Sequence, residues 1–68
     1  MQKQRDVDQQ FMLLSIPQVA ARLGLSRTKV YALIATEGLP VVSFGRALRV
    51  RPASLDRWLE LRERGLIA

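Results

Sequence analysis

The sequence contains no cysteine and no histidine. Those two absences exclude disulfides, thiolate chemistry, imidazole acid-base catalysis and nearly all zinc sites. Long apolar runs are missing as well: none approaches the roughly 20 residues that a membrane span needs, and the opening MQKQRDVDQQ lacks the apolar core of a secretory signal. Acidic residues are few, six against eleven lysines and arginines, for a formal charge of +5. With most of those acids balanced by nearby arginines, nothing resembles an activated nucleophile or a pair of working carboxylates. The expectation is a soluble, cytoplasmic protein that is not an enzyme, with no catalytic residues, metal, cofactor or small-molecule substrate.

What is there is a basic segment inside a small apolar chain. At 68 residues, 49% of them hydrophobic, the chain reads as one domain with a thin core. Within residues 1–10, Lys3 and Arg5 balance Asp6 and Asp8; within 52–68, Arg57, Arg62 and Arg64 balance Asp56, Glu60 and Glu63. Between these neutral flanks, Arg22, Arg27, Lys29, Arg46, Arg49 and Arg51 face Glu37 alone, and this difference of six against one is the whole net charge. A merely solvated surface mixes the signs throughout. A concentrated basic segment is the footprint of a nucleic-acid binder.

Residues 1–10 read as a flexible leader, and 11–68 as the folded domain. Phe11 to Leu14 is an apolar run too short to assign to an element. Ser15 and Gln18 then match a capping box, and Leu14 with Val19 a hydrophobic staple, so a first helix starts at Ile16. Pro17 is tolerated in its first turn. The helix ends near Leu23 because Gly24 suits the left-handed position beyond it. Only Leu25 separates that glycine from Ser26, a good N-cap for a second helix reaching Glu37 and stopped by Gly38 and Pro40. Leu25 and Val30 are spaced as a second staple. Two helices joined this tightly must cross steeply, and Val19, Ala20, Leu23, Leu25, Val30, Leu33 and Ile34 are placed to line the crossing, with small Ala20 at the closest approach. This is the helix-turn-helix pattern.

VVSF-GR-ALRV reads as a β-hairpin turning at Gly45-Arg46. With a two-residue loop, Val41, Ser43, Leu48 and Val50 share one face, and Val42, Phe44, Ala47 and Arg49 the other. Arg51-Pro52 opens a third helix, in which Leu55, Trp58 and Leu59 face the core, Glu60 and Arg64 are spaced as an i,i+4 pair, and Gly65 closes the element. The tail Leu66-Ile67-Ala68 reads as a frayed end or a partner contact. The fold class that results is mainly α with a small β-hairpin: a winged helix-turn-helix in the order α-α-β-β-α.

In that geometry the second helix enters the major groove and the wing meets phosphate or an adjacent groove. With Val30, Leu33 and Ile34 inward, Arg27, Thr28, Tyr31 and Ala35 face out, and Lys29 and Ala32 lie at the margins. Arg27 suits a bidentate contact to guanine, and Thr28 a hydrogen bond or a thymine methyl contact. Lys29 suits phosphate. Arg27 and Lys29 also sit at the positively polarised end of their helix, a placement that costs each roughly 0.3 to 1 kcal/mol unless an anion arrives. Ser26 reads as a plain cap or as part of a phosphate site, and the two roles are compatible. Tyr31 reads as partly core or as a phosphate or sugar contact. On the wing, Gly45 makes the turn, Arg46 at its tip reads as a DNA contact or a solvated side chain, and Arg49 and Arg51, flanking Val50, read as a phosphate clamp. Arg22 reads as solvated.

The stretch Leu13 to Leu59 resembles the excisionase-type branch of the MerR-like winged helix-turn-helix domains. Its Leu14, Val19-Ala20, Leu23-Gly24, Ser26, Val30-Tyr31 and Leu33-Ile34 follow that family's spacing, as do the Gly38-Leu39-Pro40 turn, the Gly45-Arg46 wing and the closing Leu55, Trp58-Leu59 helix. The resemblance implies binding of double-stranded DNA through Ser26 to Tyr31 and the Gly45-Arg46 wing. For phage excisionases it further implies an architectural role: neighbouring copies bind adjacent sites cooperatively, bend attachment-site DNA and direct integrase toward excision. Two departures stand out. Ala47 occupies a wing position that is commonly basic, and Ala32 and Ala35 are small where many relatives carry arginine, so each copy is left with fewer backbone contacts. A small transcriptional regulator is the alternative that the same domain supports, and a protein-interaction module for integrase is the alternative from another class.

Overall fold

The chain order is β1 (Leu14–Ser15), α1 (Ile16–Leu23), α2 (Arg27–Thr36), β2 (Val42–Phe44), β3 (Ala47–Val50) and α3 (Pro52–Glu63). A computed structural model describes residues 12–65; the leader assigned to 1–10, Phe11 and the tail Leu66-Ile67-Ala68 lie outside the described residues.

Local chemistry starts α1 where the sequence places it. The Gln18 N–H donates to Ser15 Oγ at 3.3 Å, and the Ser15 N–H donates back to Gln18 Oε1 at 2.8 Å, a closed capping box. At the other end Gly24 adopts φ +69°. Its N–H donates to the Ala21 carbonyl at 3.3 Å, and the Leu25 N–H reaches back to Ala20 at 2.9 Å, completing a Schellman turn. Ser26 then caps α2, its Oγ accepting from the Lys29 N–H at 3.1 Å. Val19 and Val30 are fully buried where the helices cross, Ala20 and Leu33 nearly so, and Leu23 and Ile34 pack at the margin.

Leu25 departs from the expected inward set. It is 40% exposed, because its direction is set by the turn that Gly24 reverses and not by the period of either helix. Extending the apolar repeat across that glycine misplaces it.

The hairpin register is the expected one. Phe44 pairs with Ala47, Ser43 with Leu48 and Val42 with Arg49, leaving Gly45-Arg46 as the two-residue loop. Gly45 has φ +63° and no residue other than glycine has positive φ among those described, the sign pattern of a II′ turn. Val50 is buried and Leu48 and Val41 pack on the core, so the face they share is the inner one. The sheet nevertheless has three strands, in the order β1-β3-β2. Leu14 pairs with Val50 and Ser15 with Arg49, so β3 is central and the chain just before α1 is stitched to the wing.

Behind this layer α3 begins at Pro52 and brings Leu55 and Trp58 into the core, with Leu59 at its edge. Leu39 is also buried, its N–H returning to the Leu33 carbonyl at 3.2 Å. Burying Leu55, Val19, Val30 and Val50 completely contributes on the order of 1.5 to 3 kcal/mol for each side chain. The i,i+4 pair expected of Glu60 and Arg64 does not form. An ion pair that α3 does make is longer-range: Arg62 Nη1 donates to Glu37 Oε1 at 3.1 Å, and the same guanidinium lies 4.7 Å from the centre of the Trp58 ring. Trp58 Nε1 donates to the Glu37 carbonyl at 3.2 Å, so both ends of Glu37 are held by α3.

Candidate nucleic-acid interface

A Schellman turn followed at once by a serine cap leaves an uninterrupted exposed stretch, Gly24 to Lys29, at the start of α2. Arg27, Thr28 and Lys29 are the first three residues of the helix, all exposed, and its first turn has no acidic residue. The backbone N–H groups of that turn lack intrahelical acceptors, and Ser26 Oγ occupies only the one on Lys29. Positive side chains and free donors therefore converge on one point. An anion there would gain from both.

Beyond the first turn α2 presents Tyr31, Ala32 and Ala35, all exposed, with Tyr31 at 50%. Tyr31 is thus a surface residue. Ala32, expected at the margin, is as open as Ala35, and by helical period it lies with Thr28 and Ala35 opposite the buried Val30 and Leu33. Small side chains along this line allow the helix axis to approach a surface closely. At the far end the Thr36 hydroxyl donates to the Ala32 carbonyl at 2.8 Å.

The wing carries the second basic group. Arg46 is exposed in the turn and Arg51 is exposed where β3 passes into α3. Arg49 lies within β3 and Arg51 just beyond its end, at the N-cap position of α3, and the two are not equivalent. Arg49 is half-buried on the outer face of the sheet, in a row between Ser15 and Val42, and its Nη1 donates to the Leu48 carbonyl at 2.8 Å. Arg49 is a positioned charge; Arg51 is exposed to solvent. Among the described residues no hydrogen bond or ion pair joins the helix group to the wing group, so the fold places two basic surfaces without linking their side chains. Arg22 is exposed, as expected.

The field between these groups is cleaner than the charge count implies. Glu37, the one acid within the basic segment, is neutralised by Arg62. No acid stands between Glu37 and Asp56. Sequence reading missed this pairing, which spans 25 residues, and also passed over Phe44, an exposed aromatic ring beside the wing turn. Alternation in the hairpin was the signal that could have found it, since it already set Phe44 on the face opposite Val50.

Other chemistry is sparse. No group of three or more His, Cys, Asp or Glu side chains able to hold a metal occurs among the described residues, and no helix there is long and apolar enough to cross a membrane. A shallow groove of about 400 Å³, lined by Glu37, Gly38, Pro40, Ser54, Arg57, Trp58 and Leu61, lies at the opposite end of α2 from Ser26.

Comparison with known proteins gives a family match and a similar protein. The family described as "Helix-turn-helix domain" matches residues 13–63. Over 45 residues the chain is 40% identical to a protein named "Probable excisionase" from Saccharopolyspora erythraea, an alignment covering 66% of this chain and 46% of that protein. The chain thus spans a little under half the length of the curated relative it matches. No solved structure gives a significant match.

Proposed function

Since this chain belongs to the helix-turn-helix domain family, we propose that it binds double-stranded DNA by laying the start of α2 in the major groove and the wing against the neighbouring backbone. The observation that carries this reading is the first turn of α2: a capped, acid-free helix start with Arg27, Thr28 and Lys29 all directed to solvent. In this pose Arg27 and Thr28 read base edges, Lys29, Ser26 and the free N–H groups hold phosphate, and Tyr31 rests on the sugar-phosphate backbone. Gly45 turns the wing so that Arg46 meets the duplex, while Arg49 and Arg51 clamp phosphate at its base. Shape readout supplies much of the selectivity, because Ala32 and Ala35 offer no hydrogen bonds.

Within recombination the role is that of an excisionase, a reading supported by the similarity to the Saccharopolyspora protein. Neighbouring copies bind attachment-site DNA inside the bacterial cell, bend it cooperatively and direct an integrase toward excision, with no catalysis by this chain. A footprint over the attachment region, followed by an excision assay with the cognate integrase, tests it. Protection with stimulated excision is expected. Protection without stimulation removes the excision role and leaves a DNA-binding regulator. Absence of salt-dependent binding to any duplex removes the DNA reading itself.

A further inference from the structure

The outer face of the three-stranded sheet ends in a feature that phosphate contacts do not explain. Phe44 is 57% exposed at the last rung of the hairpin, on the side away from the core, where its partner across the strand is the small Ala47. A large ring is therefore held out toward solvent. Its presentation is fixed from below: Gly45 takes φ +63°, and Ser43 Oγ donates to the Gly45 carbonyl at 3.0 Å, closing the turn beneath the ring. Arg46 follows two residues later, and Arg49 lies on the same face of the sheet. No acid lies between Glu37 and Asp56, so the charged residues that the hairpin itself sets beside the ring are cationic. Arginines that draw the phosphates inward beside an apolar side chain that can enter between bases are the combination used to open and kink the minor groove.

Resting on the DNA-binding reading above, we propose that Phe44 is a DNA-contacting residue whose ring wedges into a base step in the minor groove, so that the wing bends the duplex as well as gripping it. The step favoured is a flexible pyrimidine-purine step, where unstacking is least costly. Base selectivity then arises at the wing, from deformability, in addition to any arising at α2.

The test compares the full chain with its Phe44→Ala and Phe44→Leu variants on a duplex recovered by the wild-type chain from a randomised pool. Affinity, the slope of affinity against salt, and bend angle by end-to-end fluorescence transfer are measured for each. Because the ring is exposed, Phe44→Ala is expected to melt at the wild-type temperature. It should bind on the order of tenfold more weakly and lose most of the bend with its salt slope unchanged, since no phosphate contact has been removed. Phe44→Leu should keep part of both. Wild-type affinity and bend in Phe44→Ala would overturn the wedge and leave the DNA-binding reading standing. A variant altered only in self-association by sedimentation would overturn it in favour of a contact between copies. Failure of the wild-type chain to select any duplex would instead remove the underlying reading.

Discussion

Arg62 on α3 reaches 3.1 Å to the carboxylate of Glu37 at the end of α2 while its guanidinium lies over the ring of Trp58. One side chain thereby ties the end of α2 to α3 and cancels the lone acid of the basic segment.

Arg62→Ala should therefore act twice. Both partners are about a third exposed, so solvent screening limits the loss to about 1 kcal/mol from the ion pair and ring contact together, a fall of several degrees in Tm for a domain this small. Urea unfolding checks that. DNA affinity at low salt should fall as well, because Glu37 is left unbalanced; an Arg62→Ala, Glu37→Gln double variant should recover the affinity without recovering the stability.

Ser26 separates capping from phosphate contact. Ser26→Ala removes the acceptor for the Lys29 N–H and should cost about 1 kcal/mol, with DNA affinity also reduced. Ser26→Asp keeps a cap and improves the match to the helix dipole. It should be at least as stable as wild type yet bind DNA more weakly, and equal DNA binding by Ser26→Asp would show that no phosphate approaches the cap.

The basic residues should differ in kind. Arg27→Ala and Arg46→Ala alter exposed side chains, so circular dichroism should be unchanged; the Tm should hold for Arg46→Ala and hold or rise slightly for Arg27→Ala, which takes a basic residue off the positive end of α2. Arg46→Ala should lower the salt slope by about 1 and weaken all duplexes alike, whereas Arg27→Ala should relax selectivity at one base position. Arg49→Ala should reduce both stability and affinity, because its guanidinium is bonded to the Leu48 carbonyl.

Leu55→Ala tests the thin core. Leu55 is completely buried beneath the sheet and helices, and its truncation should cost about 2 to 5 kcal/mol. That is a large share of the stability of a 68-residue chain. Loss of cooperative thermal unfolding is the expected readout, with DNA binding lost in parallel.

The elements legible in the sequence were those specified by neighbours. Ser15 with Gln18, Gly24, Ser26 and Gly45-Arg46 each act over two to four residues, and the helices, the tight turn and the hairpin register all follow from them. What stayed hidden is non-local. β1 is two residues long and exists only because Leu14 and Ser15 meet Val50 and Arg49, and neither residue announces a strand by itself. Leu39, which reads as punctuation before a proline, folds into the core. Glu37 and Arg62 are 25 positions apart, and nothing in the local spacing of either marks the other as its partner. At the candidate interface, Arg27, Thr28 and Lys29 were identifiable from charge and cap position, whereas Phe44 read as an ordinary strand residue until its exposure set it apart.

The central position of β3 also sets the mechanics of the wing. Its root is fastened by Leu14 and Ser15 at Val50 and Arg49, so only the rungs of Leu48 and Ala47 and the turn project freely, an overhang of roughly 7 Å from Arg49. A beam that short, clamped to the start of α1, yields little under side load. In the proposed complex, force exerted on the tip by a duplex resisting curvature would be carried into the helical body and not absorbed by the hairpin, the behaviour of a lever and not of a tether.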